Sequence, residues 1–186
     1  DHYLDSLLRL QCVECDTLFT AVIYSSPDGP ALAVMSSVRG GIATANTPQS
    51  VAYYLDQAQR SKAMNANSAS VAMYRGALEQ ILYEQGFTKK GLSNKIEQLE
   101  QAITKDSAPK WAKELDTRYL DIIRDLGNHS IHPNDGNVEQ QKELDDTLLE
   151  KLDITFTALV YLVYEVQSKK DSHLSDLKAK LHNIKK

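Results

Sequence analysis

A short stretch from Tyr119 to Pro133 constrains the fold of this chain more than any other part of the sequence. Four apolar residues recur there at helical spacing and predict one buried helix face: Leu115, Tyr119, Ile122 and Leu126. Arg124, Asn128 and His132 follow at four-residue intervals, so at about 100° per residue they share one stripe of that helix. Pro133 disfavours the α conformation at His132 and predicts the helix end there. A guanidinium, an amide and an imidazole are therefore expected to converge at one helix end.

Further helices are predicted on both sides of this stretch. They cover residues 48–62, 65–85, 93–104, 109–132 and 138–169, each with apolar residues three and four positions apart. Beyond them the tail repeats apolar residues at the same spacing: Leu174, Leu177, Leu181 and Ile184. This tail is expected to be either the last helix of the bundle or a strip that docks on another subunit.

Residues 1–46 have a different pattern from the helical remainder. Cys12 and Cys15 form a Cys-x-x-Cys pair, which supplies half of a tetrahedral zinc site, and the sequence contains no second pair. β-branched and aromatic residues predict strands at 17–24 and 31–37, and proline and glycine between them predict a turn. This layout predicts a small β-hairpin that resembles a partial zinc ribbon, followed by a linker to a second domain at 47–186.

Composition excludes some classes of partner. The net charge is −4 and the pI is about 5.7, whereas proteins that bind DNA broadly through its phosphates usually carry a basic excess. No apolar run approaches the roughly 18 residues of a membrane span, and no signal-like segment follows Asp1. We expect a cytoplasmic protein without membrane contact, and a chain that is a piece of a longer protein.

Two motifs resemble those of the domain of unknown function 4145 family. Arg124-Asp125-Leu126-Gly127-Asn128 followed by His132-Pro133 matches the family's R-x-x-G-N-x-x-x-H-P signature. Arg75-Gly76-Ala77-Leu78-Glu79 matches its R-x-A-L-E element. The resemblance covers roughly residues 48–167 and implies a mainly α chain, with a HEPN-like bundle of five or six helices.

The resemblance also implies two alternative functions. The first is a non-catalytic accessory, sensing or interaction module in a prokaryotic nucleic-acid-handling or defence system. The second is a metal-independent dimeric HEPN endoribonuclease with an Arg-x4–6-His motif. Its catalytic residues would be Arg124 with either His129, with four residues between, or His132, with seven residues between. Whether the chain is an enzyme stays open at this point.

Partners and cofactors follow from the same resemblance. It implies a homodimer, and either a protein or RNA as a further partner. No cofactor is required by either function. Relatives often carry two cysteine pairs ahead of the bundle, so zinc binding is possible in a longer protein, where partner cysteines would precede Asp1. Whether Cys12 and Cys15 bind zinc in this chain stays open.

The polar residues of the two motifs are the candidate site: Arg75, Glu79, Arg124, Asn128 and His132. In a structural interpretation, Arg124 pairs with Glu79, and Asn128 and His132 hold the last carbonyls of the helix. Gly127 then permits close contact with the helix predicted at 65–85. Arg75 and Glu79 form a further pair one helical turn apart. In a binding interpretation, the same groups hold a ligand or a protein. In a catalytic interpretation, a histidine acts as general acid or base on a ribose hydroxyl while Arg124 stabilises the phosphate charge.

Overall fold

A computed structural model of the chain shows a small antiparallel sheet followed by a bundle of helices. The structure describes residues 6–11, 13, 18–26, 29–35, 41–132 and 138–184. The mainly helical fold and the β structure at the N-terminus confirm the prediction at this level. Among the described helices, none is both long enough and apolar enough to cross a bilayer.

The sheet contains one strand more than the sequence pattern predicts. Its order is β1 (Ser6–Gln11), β2 (Leu18–Ser26) and β3 (Gly29–Met35). The predicted hairpin corresponds to β2 and β3. β1 escapes prediction because its leucines are partly consecutive, which hides the period of two expected for a half-buried strand. The predicted zinc ligands Cys12 and Cys15 lie outside the described residues, so the zinc site stays a prediction.

The helices occupy the rest of the described chain. They are α1 (Gln49–Ala63), α2 (Asn67–Glu84), α3 (Leu92–Thr104), α4 (Arg118–Ile131), α5 (Asp146–Val160) and α6 (Val166–Ile184). Short 3-10 turns cover Lys110–Glu114 and Val138–Glu143, and a π-helical turn covers Tyr161–Glu165. The core lies between α1, α2, α4 and α5, where the ring of Tyr74 stacks on Phe156 with 4.7 Å between centroids.

Two predicted helices have wrong boundaries. The helix predicted from 109 is interrupted, because Leu115 adopts an extended backbone between the 3-10 turn and α4. The helix predicted from 138 begins only at Asp146, since the carboxylate of Asp145 accepts the N–H of Leu148 at 2.8 Å and caps it. That helix then continues through the π turn into α6, well beyond the predicted end at 169.

Glu165, at the end of the π turn, anchors the linker that precedes α1. Its carboxylate accepts hydrogen bonds from the backbone N–H of Asn46 at 3.2 Å and from the side-chain amide at 3.1 Å. Hydrogen bonds from Thr44 and then Asn46 hold the pKa of Glu165 below its ordinary value. The linker is thereby fixed to the long helix rather than only to its neighbour α1.

A partly buried polar network joins α1, α2 and α5. Asp153 accepts hydrogen bonds from the Tyr74 hydroxyl and from Gln59, the latter at 2.7 Å. Lys62 contacts the other oxygen of the same carboxylate at 2.5 Å. Burial raises the pKa of the Tyr74 phenol, and the hydrogen bond and negative charge of Asp153 raise it further. The phenol therefore stays a neutral donor and satisfies the carboxylate within the core.

Asp153→Ala tests this network. The substitution removes the shared acceptor of Tyr74, Gln59 and Lys62, so we expect a loss of about 2 kcal/mol in the free energy of unfolding. Urea denaturation followed by circular dichroism measures it. Glu150→Ala, at an exposed position of the same helix, is the matched control and should change stability by less than about 0.5 kcal/mol. Equal losses in both variants would contradict a structural role for the network.

Candidate functional site

The candidate site lies where α4 crosses α2. Gly127 is buried there against Arg75, and a Cβ at position 127 would come within 2.4 Å of the Arg75 Cβ. The two helices approach this closely only because Gly127 has no side chain. The predicted role of this glycine in close helix contact is confirmed.

The face of α4 that packs inward differs from the predicted one. The buried residues are Leu120, Ile123, Gly127 and Ser130. Tyr119 and Ile122, predicted to be buried, are more than half exposed. Both sets have helical spacing, so periodicity alone does not choose between them. The choice follows from Gly127, which must face α2 for the helices to make contact.

Arg75 is the guanidinium that connects the two motifs. Its Nε donates to Oδ1 of Asn128 on α4 at 3.1 Å. Its Nη1 lies 3.7 Å from Oε2 of Glu79, one turn further along α2, which is the predicted pair on this helix. Arg75, Glu79 and Asn128 are therefore brought together, with Arg75 between the other two.

Lys95 completes this group from α3, and the sequence analysis missed it. Its Nζ lies 2.9 Å from Oε1 of Glu79, while only 7% of its side chain is exposed. A buried ammonium is costly unless it is paired, so Glu79 is needed to hold it. Its position in the sequence could have indicated its burial. Lys95 lies beside Ile96 on the apolar stripe of α3, which also includes Leu99.

Arg124 does not pair with Glu79, and that prediction is wrong. Its Nη1 lies 2.7 Å from Oδ1 of Asp121, and its Nη2 lies 2.9 Å from Oδ1 of Asp125. Both carboxylates belong to α4 itself. Asp121 is a near partner because residues three apart on a helix are neighbours, and Asp125 is the next residue along the chain. Glu79 is already bound by Arg75 and Lys95.

The two histidines lie on the outer side of the end of α4. Both are exposed, and Nδ1 of His129 lies 2.7 Å from the carbonyl oxygen of Asp125. The backbone N–H of His132 donates to the carbonyl of Asn128 at 3.1 Å. Gln141 donates its side-chain amide to the carbonyl of His129 at 2.7 Å. Asn128 was predicted to hold a carbonyl of the helix end, but its amide oxygen binds Arg75 instead, and Gln141 binds a carbonyl there. The carbonyl-binding role of the His132 side chain stays a prediction.

The described part of the chain also contains cavities. Three of them have volumes of about 360, 390 and 230 Å³, and their linings do not include Arg124, His129 or His132. Glu79 and Lys95 do line the smallest of these, beside Tyr54 and Tyr83. Within the described residues, no group of three or more His, Cys, Asp or Glu side chains could hold a metal ion.

Comparison with known proteins gives one match. The family described as "Domain of unknown function (DUF4145)" matches residues 56–180, which is more than half of the chain. No curated protein and no solved structure matches the sequence.

The contact between Arg75 and Asn128 should be energetically coupled. Arg75→Ala and Asn128→Ala are each expected to cost about 1–3 kcal/mol of unfolding free energy. The double variant should lose about 1 kcal/mol less than the two single losses together. Arg124→Ala is the comparison, because its partners are largely exposed carboxylates of its own helix and its loss should be about 0.5 kcal/mol. Denaturant titration of the four variants gives these values, and a larger loss for Arg124→Ala would refute the assignment.

Gly127→Ala should separate α2 from α4. The added methyl group meets the Cβ of Arg75 rather than the flexible end of its side chain, so we expect a loss of about 1–3 kcal/mol. Thermal and urea unfolding measure it. Ile122→Ala, at an exposed position of the same helix, should lose less. A Gly127→Ala variant as stable as the parent protein would show that the helices can part without cost.

Proposed function

Because the chain belongs to the DUF4145 family, we propose that it is a HEPN-like helical domain with a non-catalytic role. It serves as an accessory, sensing or interaction module in a prokaryotic nucleic-acid-handling or defence system. The observation that carries the non-catalytic role is the use of the motif residues within the fold. Arg75, Asn128 and Glu79 bind one another or Lys95 across α2, α3 and α4. Groups held in this way stabilise helix packing rather than a reacting substrate.

The electrostatics around Arg124 support the same role. A ribonuclease needs an arginine whose charge is available to the phosphate of the transition state. Arg124 is instead flanked by Asp121 and Asp125 at 2.7 and 2.9 Å. Two carboxylates for one guanidinium leave this face net negative, so an approaching phosphate is repelled rather than bound. The net charge of −4 for the whole chain acts in the same direction.

The exposed face of α4 is the surface that this module would present to a partner. It carries Asp121, Asp125, His129 and His132 around Arg124. A surface with this excess of carboxylates suits a basic segment of another protein better than RNA. Substitutions on this face should leave folding intact and weaken partner capture.

One observation favours the nuclease alternative. Arg124 and His129 lie about 140° apart around an ideal helix, yet both contact Asp125, one through its carboxylate and the other through its carbonyl. The imidazole is exposed and could meet a substrate. A homodimer would then be needed to oppose two such sets across a composite cleft.

Incubation of the purified chain with varied single-stranded and structured RNAs in EDTA separates the two functions. We expect no cleavage above the buffer blank, because Arg124 is neutralised by its own helix. The readout is gel analysis of end-labelled RNA over a pH range of about 6 to 8, where an imidazole titrates. The double variant Asp121→Asn with Asp125→Asn is a control. It removes both carboxylate charges beside Arg124, so the positive charge of Arg124 becomes available to RNA.

Cleavage in EDTA that is lost in both His129→Ala and Arg124→Ala would falsify the non-catalytic role. Cleavage that persists in both variants indicates a contaminating nuclease and leaves the expectation of an inactive domain standing. His132→Ala tests the second histidine in the same way.

A further inference from the structure

The tail of α6 carries an apolar seam that stays more than half exposed in the described part of the chain. Its members are Leu174, Leu177, Leu181 and Ile184, which are between 51% and 80% exposed. They repeat at three, four and three residues on one continuous helix. A seam with this spacing is typical of a helix that packs against another helix. An exposed stripe of large aliphatic side chains also costs free energy in water until it is covered.

The charges beside the seam oppose its pairing with an identical tail. With Leu174 and Leu181 at a, and Leu177 and Ile184 at d, the flanking e and g positions are His173, Lys178, Lys180 and Lys185. Two such tails would bring lysines against lysines or histidines along both edges of the seam. Like charges at e and g oppose association. From Leu174 to Lys186 the sequence has four lysines and one acidic residue, so the complementary surface must be acidic.

An apolar groove with two carboxylates in its lining lies between α4 and α5. It has a volume of about 390 Å³. Apolar side chains from both helices line it: Tyr119, Leu120, Ile123, Ile154, Leu159 and Leu162. Its described charged residues are Glu114 and Asp116, the second of which also contacts Arg118. Tyr119 is 52% exposed and Ile154 is 70% exposed, so the groove is open in the single chain.

The tail cannot reach the groove of its own chain. α5, the π turn and α6 form one uninterrupted helix from Asp146 to Ile184. Leu174 is twelve residues beyond Leu162, which places it about 18 Å further along the axis, away from the groove. A return would need a sharp break, and residues 166–173 contain neither glycine nor proline.

We propose that the α6 tail of one copy of this chain docks in the α4–α5 groove of a second copy. The lengths agree, because the groove follows α5 from Ile154 to Leu162, about 12 Å, and the seam from Leu174 to Ile184 spans about 15 Å. A twofold axis satisfies both copies at once, since each gives a tail and receives one. The two long helices then run antiparallel. The dimer holds whether or not the domain has catalytic activity.

Size-exclusion chromatography with light scattering, and sedimentation over a concentration series, test the dimer on the full chain. Leu177→Lys should raise the dimer dissociation constant at least tenfold, because a charge would enter an apolar contact. Ser175→Lys adds the same side chain outside the seam and should leave the constant unchanged. Both positions are exposed, so circular dichroism should show equal helix content in the two variants.

Charge reversal distinguishes the groove from a tail–tail contact. Lys178→Glu with Lys180→Glu should weaken docking beside Glu114, and a further Glu114→Lys should restore it. In a tail–tail coiled coil the same pair of glutamates would face His173 and Lys185 and strengthen the dimer.

Three results overturn the inference. One is a monomer at all concentrations, as expected if a different partner covers the groove. Another is a dimer whose dissociation constant does not change in Leu177→Lys. The third is a dimer strengthened by the two glutamates. Loss of the dimer in Leu177→Lys, together with its restoration by Glu114→Lys in the variant with two glutamates, supports the proposed docking.

Discussion

The contact between Gly127 of α4 and Arg75 of α2 sets the geometry on which the rest of the bundle depends. With no Cβ at 127, the side-chain stem of Arg75 lies directly on the backbone of α4. This approach brings the guanidinium to Asn128 and turns Leu120 and Ile123 toward the core. It also turns Arg124 and the histidines away from Glu79. One residue without a side chain thereby decides which polar groups are structural and which face solvent.

The buried and partly buried charges are distributed so that each has a partner. Glu79 lies between Arg75 and Lys95, and Asp153 lies between Lys62 and the Tyr74 hydroxyl. Each carboxylate contacts groups from other helices, so removing one leaves more than one group without its partner. The two clusters join different sets of helices, α2 to α3 and α4 in one case, and α1 to α2 and α5 in the other. Together they specify how the helices are arranged, beyond the apolar burial that holds them together.

The sequence predicted the helical class, most helix positions, the β2–β3 hairpin and the close contact at Gly127. It did so because these depend on local patterns, such as apolar spacing and a glycine within a helical motif. The partners of the polar residues could not be predicted in the same way. Arg124 had acids available both on its own helix and on α2, and Lys95 joined the cluster from a separate helix. Such pairings depend on the rotation of each helix about its axis, which two apolar stripes of equal spacing on α4 left undecided.

The long C-terminal helix could likewise be predicted only in part from local sequence patterns. Apolar spacing predicted its buried residues, including Leu152, Phe156 and Leu159. Its true start depended on the cap at Asp145, and its continuation into the tail depended on the absence of any helix-breaking residue after Glu165. The apolar seam from Leu174 to Ile184 was recognised from its spacing. Its two interpretations were the last helix of the bundle and a strip that docks on another subunit, and they differ in whether the bundle covers the seam. Because these leucines are exposed, the described bundle of a single chain does not cover the seam.

The π turn at Tyr161–Glu165 has a consequence for how this family can vary. A π turn holds one more residue than the α turn it replaces, which is equivalent to a single-residue insertion accommodated within an unbroken helix. A homologue lacking that residue could form a regular α turn there and keep everything downstream in nearly the same rotation about the helix axis. The anchor of the linker and the direction of the tail would then both be preserved. Chain length between positions 160 and 166 is therefore a diagnostic character for comparing relatives of this protein.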